Sequence, residues 1–260
     1  MLVQELMDQR HPFVYADELV TKARAVIRDF GLRMLPVVEE NRRLVGVVSR
    51  ADVMAVSSSV SPIKVKGVMS NPKLIAILDM GVDVVVRRMI QLDEWYVPVV
   101  RSFQDYVYSG VFGLENFISA SLKRDSPKFS RRLSEIASKN VVVCDVESEL
   151  DNVWRLMQQK RFSGFPVVKK DKLVGVVTEK DLLESGALFP TFESKKGRFK
   201  ASTKVSSVMK TPVFSLKPTN TVRDAAELMV NKNIGRLPIV DDKGALVGIV
   251  DREDVVKAIL

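Results

Sequence analysis

Apolar residues recur along this chain first at helical spacing, then in short strand-like runs, then at helical spacing again. The cycle runs four times. Leu19, Val20, Ala23, Val26, Ile27 and Phe30 share one face of a helix, and Val222, Ala225, Ala226 and Met229 repeat the pattern near the C-terminus. Each helical stretch leads to a proline followed by two apolar residues, at Pro36, Pro98, Pro166 and Pro238. Counting back 29 residues from each proline reaches Met7, Met69, Ala137 and Met209, which end the similar pieces VQELM, VKGVM, LSEIA and VSSVM. Counting forward, a glycine follows at 10, 12, 9 and 10 residues: Gly46, Gly110, Gly175 and Gly248. Six residues beyond each glycine stands Asp52, Asn116, Asp181 or Asp254. A variable gap between two fixed ones predicts a hairpin between two strands. The turns are polar: EENRR, RSFQDY, KKDK and DDKG.

Earlier strand-like runs, VVVC at 141–144 and VFSL at 213–216, complete the cycle. Each unit therefore reads strand, helix, strand, strand, helix, and the predicted fold class is α+β. Asp17, Asp79 and Thr219 stand ahead of three of the helices at one offset and are expected to cap them. Units of roughly 55–60 residues are marginal alone, so they should pair. Polar and basic stretches separate them: SSSVSP (57–62), SLKRDSPKFSRR (121–132) and a longer one near 184–204.

The units end on a rhyme: GVVSRADV (46–53), GVVTEKDL (175–182) and GIVDREDV (248–255). This proline-led strand pair closing on G-h-h-[ST]-x-x-D resembles the CBS domain, named for cystathionine β-synthase, over nearly the whole chain. The resemblance implies four βαββα CBS repeats pairing into two Bateman modules. The expected boundaries are 1–56 and 63–120 (module one, 1–120), then 131–185 and 203–260 (module two, 131–260), with linkers at 121–130 and 186–202. Two such modules would close on each other within the chain or pair across chains as a homodimer. The resemblance also implies a non-catalytic regulatory protein that binds AMP, ADP, ATP or S-adenosylmethionine and signals to a protein target not identifiable from the sequence.

The closing motif has two readings. Ser49, Thr178 and Asp251 each end a strand and open a helix, so each can cap that helix for about 1 kcal/mol. The acidic residue three positions on can bond back, although Glu reaches further than Asp, and three of the four units carry Asp. That choice hints at a second target. By family resemblance, Asp52, Asp181 and Asp254 would hold ribose hydroxyls. Ser49 and Thr178 would lie on the phosphate side, with Asp251 and Arg236 at the matching place in the fourth unit. The base would pack on the strand leading into each proline (Met34 and Pro36; Gly164, Phe165 and Pro166; Leu237 and Pro238) and on the first strand of the same unit, as at Val213. The second unit reads Gly113-Leu-Glu-Asn116 and lacks both hydroxyl and carboxylate. With bulky Trp95, Tyr96, Phe103, Tyr106 and Tyr108 nearby, its site is expected to be degenerate. The third unit has the cleanest motif.

Composition narrows the chemistry. One cysteine, Cys144, and one histidine, His11, supply neither a disulfide nor an ordinary zinc site, and any triad would rest on His11 alone. Phosphate-loop and dinucleotide-fold glycine motifs are absent from the sequence, as is HExxH. These features argue against an enzyme. No apolar run is long enough to span a membrane, and the start lacks a signal layout, so a cytoplasmic location is expected. A net charge of +8 favours anionic partners. It also sustains a competing reading as a nucleic-acid binder, through Lys123, Arg124, Lys128, Arg131 and Arg132 in one linker and Lys195, Lys196, Arg198, Lys200 and Lys204 in the other.

Overall fold

The structure is a computed structural model, and it describes residues 1–56, 61–124, 126–186 and 203–260. Four similarly ordered units follow one another. The first holds α1 (Val3–Leu6), β1 (Val14–Tyr15), α2 (Val20–Asp29), β2 (Met34–Val38), β3 (Leu44–Ser49) and α3 (Arg50–Ala55). The second holds β4 (Ala76–Ile77), α4 (Val82–Leu92), β5 (Tyr96–Val100), β6 (Tyr108–Gly113) and α5 (Leu114–Leu122). The third holds β7 (Cys144–Asp145), α6 (Leu150–Lys160), β8 (Gly164–Lys169), β9 (Lys172–Thr178) and α7 (Glu179–Ser185). The fourth holds α8 (Val222–Asn231), β10 (Arg236–Val240), β11 (Leu246–Asp251) and α9 (Arg252–Ile259).

The sheets share one register. In each antiparallel ladder the proline faces an apolar residue, the next residue but one sits beside a bulge, and the repeat glycine lies opposite the residue after the proline. Prolines fit here because the β2, β5 and β8 ladders are antiparallel on one side and make only a two-residue parallel pairing on the other. The first strands are shorter than their apolar runs: only Cys144 and Asp145 of the third unit pair, and the fourth contributes a single bridge, Leu216 to Ile239.

The repeat glycines have a packing cause. Gly46 sits under Met69, where an added Cβ would lie 2.9 Å from its Sδ, and Gly175 sits under Met209, at 2.6 Å. Gly248 faces Ala137 in the same way. The glycine of one unit thus seats the residue that opens its neighbour, which joins units one and two and units three and four. Gly110 is the least forgiving case, because an added Cβ would stand 2.6 Å from a backbone oxygen, that of Asp8. Backbone cannot swing aside as a methionine does. Gly110→Ala is therefore expected to cost about 2 kcal/mol, an ordinary overpacking cost, by prising apart the Asp8–Val111 bridge (2.8 and 3.1 Å). An unchanged urea midpoint would contradict this.

The opening turns are exchanged. Residues near Val65 bond to the backbone of Ala16 and Glu18, those near Val3 to Met80, those near Leu133 to Asn220, and those near Val205 to Ser148. Each unit is thus completed by its partner's lead-in, a feature absent from a reading of units as closed pieces.

Two cores then cross between the halves. One joins Val20, Ile27 and Val53 of the first unit to Val153, Met157 and Leu182 of the third. The other joins Val85, Phe112 and Ile118 of the second to Val222, Ala225 and Val255 of the fourth. The halves therefore close on each other within one chain. The predicted faces of α2 and α8 are buried at Val20, Ala23 and Ile27 and at Val222, Ala225, Ala226 and Met229, while Leu19 and Phe30, which flank α2, are 45% and 69% exposed. The expected caps moved: Thr221, not Thr219, caps α8, while Asp17 pairs with Lys64 and Lys66. Among the described residues, no helix is long and apolar enough to cross a membrane.

Candidate functional site

The closing motif caps its helix in the first, third and fourth units, and in the second, where the N-cap is Gly113, only the return bond from Asn116 remains. Asp52 Oδ2 accepts the Ser49 N–H (2.7 Å) and hydroxyl (2.6 Å), and the Asp52 N–H returns to Ser49 Oγ at 3.2 Å. Asp181 makes the same bonds with Thr178, at 2.8 and 2.7 Å. Asp254 accepts the Asp251 N–H, and Asn116 accepts the Gly113 N–H at 2.8 Å. Asp reaches its target without difficulty, which corrects the inference from its shorter side chain. The cap occupies only Oδ2, so each aspartate keeps Oδ1 for another partner.

What distinguishes the units is the space beside the cap. The residue two before the strand proline is Met34, Tyr96, Gly164 or Arg236. Met34 is buried among Val38, Tyr108 and Val111. The Tyr96 hydroxyl is tied to Arg252 at 2.6 Å. Gly164 alone leaves the place open, backed closely by Thr178 and the Val177 carbonyl.

Here a cavity of about 600 Å³ begins. Its apolar end is walled by Gly164, Phe165 and Pro166 on one side and Pro212, Val213 and Phe214 on the other. The second wall belongs to the paired fourth unit, not to the same unit's first strand as expected. The pairing of lead-ins explains this, because Lys210 bonds its backbone to Val176 and carries the segment after it across. Asp181 and Thr178 form the polar edge. Asp181 is buried, which raises its pKa, and its Oδ1 faces Lys210 Nζ at 3.8 Å. Pro238 and Arg236 also line the cavity. Ser49, Asp52, Met34, Pro36, Leu237, Asp251, Asp254 and Asn116 do not, so the sequence-predicted sites are not brought together as equals.

The far end of the cavity lies where the units meet. Arg33 Nη1 and Arg236 Nη1 both donate to Ser163 Oγ, at 3.1 and 2.7 Å. Both guanidiniums stack on Trp95, at 4.4 and 5.3 Å from its centroid. Arg50, buried there, is pushed down to about 10 by burial and by Arg33. Glu115 and Glu179 are pushed up by burial, each opposed by neighbouring arginines. Trp95, read from the sequence as bulk that spoils the second unit's site, is the platform of this centre. Arg33 and Ser163 carried no motif, although both stand three residues before a repeat proline, an offset that would have found them.

The remaining candidates are structural or lie outside the site. Cys144 is buried, with its thiol pushed up to about 12. His11 is buried against the Met34 carbonyl at 3.1 Å, and burial lowers its pKa. Among the described residues, no group of His, Cys, Asp and Glu could hold a metal ion. Of the basic linkers, Arg131 pairs with Glu135 and Lys204 with Glu147, while Lys195, Lys196, Arg198 and Lys200 lie outside the described residues.

Comparison with known proteins decides the family. The model of the CBS domain matches residues 3–59, 133–187 and 205–260. The chain belongs to the CBS domain family. The second unit falls outside these three CBS matches, although its sheet keeps the common register. The chain is similar to the uncharacterized protein MJ1426 of Methanocaldococcus jannaschii, at 36% identity over 155 residues, covering 49% of this chain and 90% of that one. MJ1225 of the same organism is 25% identical over 262 residues, covering 94% and 93%. The crystal structure of MJ1225 matches with a TM-score of 0.88 at 21% identity over the whole of both chains, a likeness of fold.

Proposed function

We propose that this protein is a non-catalytic sensor built of four CBS repeats in two modules, 1–120 and 131–260, which binds an adenosine-type ligand such as AMP, ADP or ATP between its third and fourth repeats. One observation carries the reading. Among the described residues, Asp181, beside Gly164, is the cap aspartate that lines this cavity, and the cavity combines the apolar Phe165, Pro166 and Val213 with the arginines Arg33 and Arg236. A nucleotide needs those three things in that order: an apolar slot for the base, an acceptor for ribose hydroxyls, and cationic donors for phosphate. Phe165, Pro166 and Val213 supply the slot, Asp181 Oδ1 the acceptor, and Arg236 a guanidinium.

The site is walled by both halves, since Arg33 belongs to the first module and Gly164 to the second. Occupancy therefore acts on how the modules dock, and a protein partner would read that change. Calorimetric titration with AMP, ADP, ATP and S-adenosylmethionine tests the reading. About one ligand per chain with a dissociation constant below millimolar is expected. Absence of binding by all four overturns it.

A further inference from the structure

The first residue of each closing helix is held alike in all four units. Its N–H donates to the carbonyl of the residue three before the strand proline: Arg50 to Arg33 (2.9 Å), Leu114 to Trp95 (3.0 Å), Glu179 to Ser163 (3.0 Å) and Arg252 to Gly235 (3.2 Å). The backbone is common to the units, and the charges it presents are not. Where α3 of the first unit meets α7 of the third, Arg50 faces Glu179. Burial pushes Glu179 up, and Arg50 pulls it down more strongly than any other neighbour. Where α5 of the second unit meets α9 of the fourth, Arg252 Nη1 donates to Glu115 Oε2 (3.2 Å) and to the Tyr96 hydroxyl (2.6 Å). Both pairs cross from one module to the other.

The second unit gives up its cap hydroxyl for this arrangement. A Cβ at Gly113 would stand 2.5 Å from Glu115 Oε2 and 2.7 Å from its carboxyl carbon. A serine or threonine there would displace the carboxylate from Arg252. The glycine that reads as a lost motif therefore makes room for Glu115. Other charges reach the junction. Arg33 repels Arg50 and Arg236 and pulls on Glu115. Arg33 and Arg236 pull on Glu179 against Asp52, and Asp251 and Asp93 offset Arg236. Lys180 and Glu253, second in their helices, pair within those helices with Glu184 and Lys257. What opposes what across the two helix contacts is left to Arg50, Glu179, Glu115 and Arg252.

In a symmetric dimer each residue near the axis meets its own copy. Two first modules pairing in that way would set Arg50 against Arg50 and Glu115 against Glu115. Two second modules would set Glu179 against Glu179 and Arg252 against Arg252. Like charges brought together away from water repel strongly, because little screens them. We propose that these four residues select the docking partner, so that each module accepts the other module and rejects a second copy of itself. The closed single-chain arrangement is then specified by repulsion of the alternative as well as by attraction. Nucleotide binding plays no part in this selection.

Charge reversal in two full-length chains tests the selection. Glu115→Arg sets two arginines together within one chain, and Arg252→Glu sets two glutamates together. Each chain alone should unfold at a lower urea midpoint than the unmodified protein. Refolded from urea together, the two chains can exchange modules. The arginine introduced in one then meets the glutamate introduced in the other, and the remaining Arg252 and Glu115 meet as before. Size exclusion with light scattering should find a one-to-one dimer in the mixture and in neither chain alone. A mixture that behaves as the sum of its parts, whether monomeric, aggregated or self-dimerised, overturns the proposal. Gly113→Ser gives a second reading on a single chain. A plain helix cap would hold or raise the midpoint, whereas displacement of Glu115 should lower it. A midpoint at or above that of the unmodified protein overturns the role given to Glu115.

Discussion

Replacing Asp181 by asparagine is expected to weaken nucleotide binding at least tenfold and to leave the fold standing. The two consequences separate because the carboxylate does two jobs with two oxygens. Oδ2 holds the Thr178 N–H and hydroxyl, and the second unit already shows that a carboxamide can take the backbone bond of that pair, since Asn116 accepts the Gly113 N–H at 2.8 Å. Oδ1 faces the cavity, where a charged acceptor for ribose hydroxyls is worth more than the neutral or donating group asparagine offers. Hydrogen bonds to a charged partner contribute about 1.5–3 kcal/mol and neutral ones about 1, so losing two charge-assisted bonds amounts to one to two powers of ten in affinity. Asp52→Asn is the matched control. It sits in the same cap geometry, but off the cavity. Titration of both variants decides the matter. Unchanged binding in Asp181→Asn would remove Asp181 from the site, and equal loss in both variants would mean that the effect passes through the fold.

The helix faces, the hairpins and the four-unit order were legible because each is written locally. Val222, Ala225, Ala226 and Met229 advertise a buried face by spacing alone, and the recurrence of Gly46 and Gly175 after the strand proline reflects one contact repeated, glycine under methionine. The closing motif was legible as a cap for the same reason. What it binds was not, because three of the four units carry the same Asp, and the units differ instead at the residue two before the proline. Met34, Tyr96 and Arg236 fill that place, and Gly164 does not. Val213 illustrates the other gap. The motif marked it as a base contact, but its neighbour across the slot is the third unit, because lead-ins are exchanged between partners. The junction of Arg33, Trp95 and Ser163 depends on all four units meeting at one point, and no local pattern encodes that meeting.

The fourth unit makes a prediction about pH. Its cap is Asp251 where the first and third units have a hydroxyl, and a second carboxylate, Asp254, lies against it. Asp251 Oδ1 accepts the N–H groups of Glu253 and Asp254, at 2.9 and 3.1 Å, while Asp254 accepts the Asp251 N–H. Burial, and then the neighbouring Asp251 charge, push Asp254 up to about 6 from the ordinary 3.8, against the pull of its backbone hydrogen bond and of Lys257. A carboxyl that titrates higher in the folded state binds its proton more tightly there than in the unfolded chain. Its contribution to stability therefore falls as pH rises from about 4 to about 6, and above 6 the folded state carries the full penalty. The difference of about two pH units corresponds to about 3 kcal/mol at most. Asp254→Asn keeps the cap bond, as Asn116 does, and removes the charge. It should stabilise the protein by up to that amount at pH 8 and by almost nothing at pH 4. Urea unfolding of the two proteins across this range gives the difference directly, because groups common to both cancel. A constant difference from pH 4 to 8 would show that Asp254 does not titrate in that window and that Asp251 costs the fold nothing.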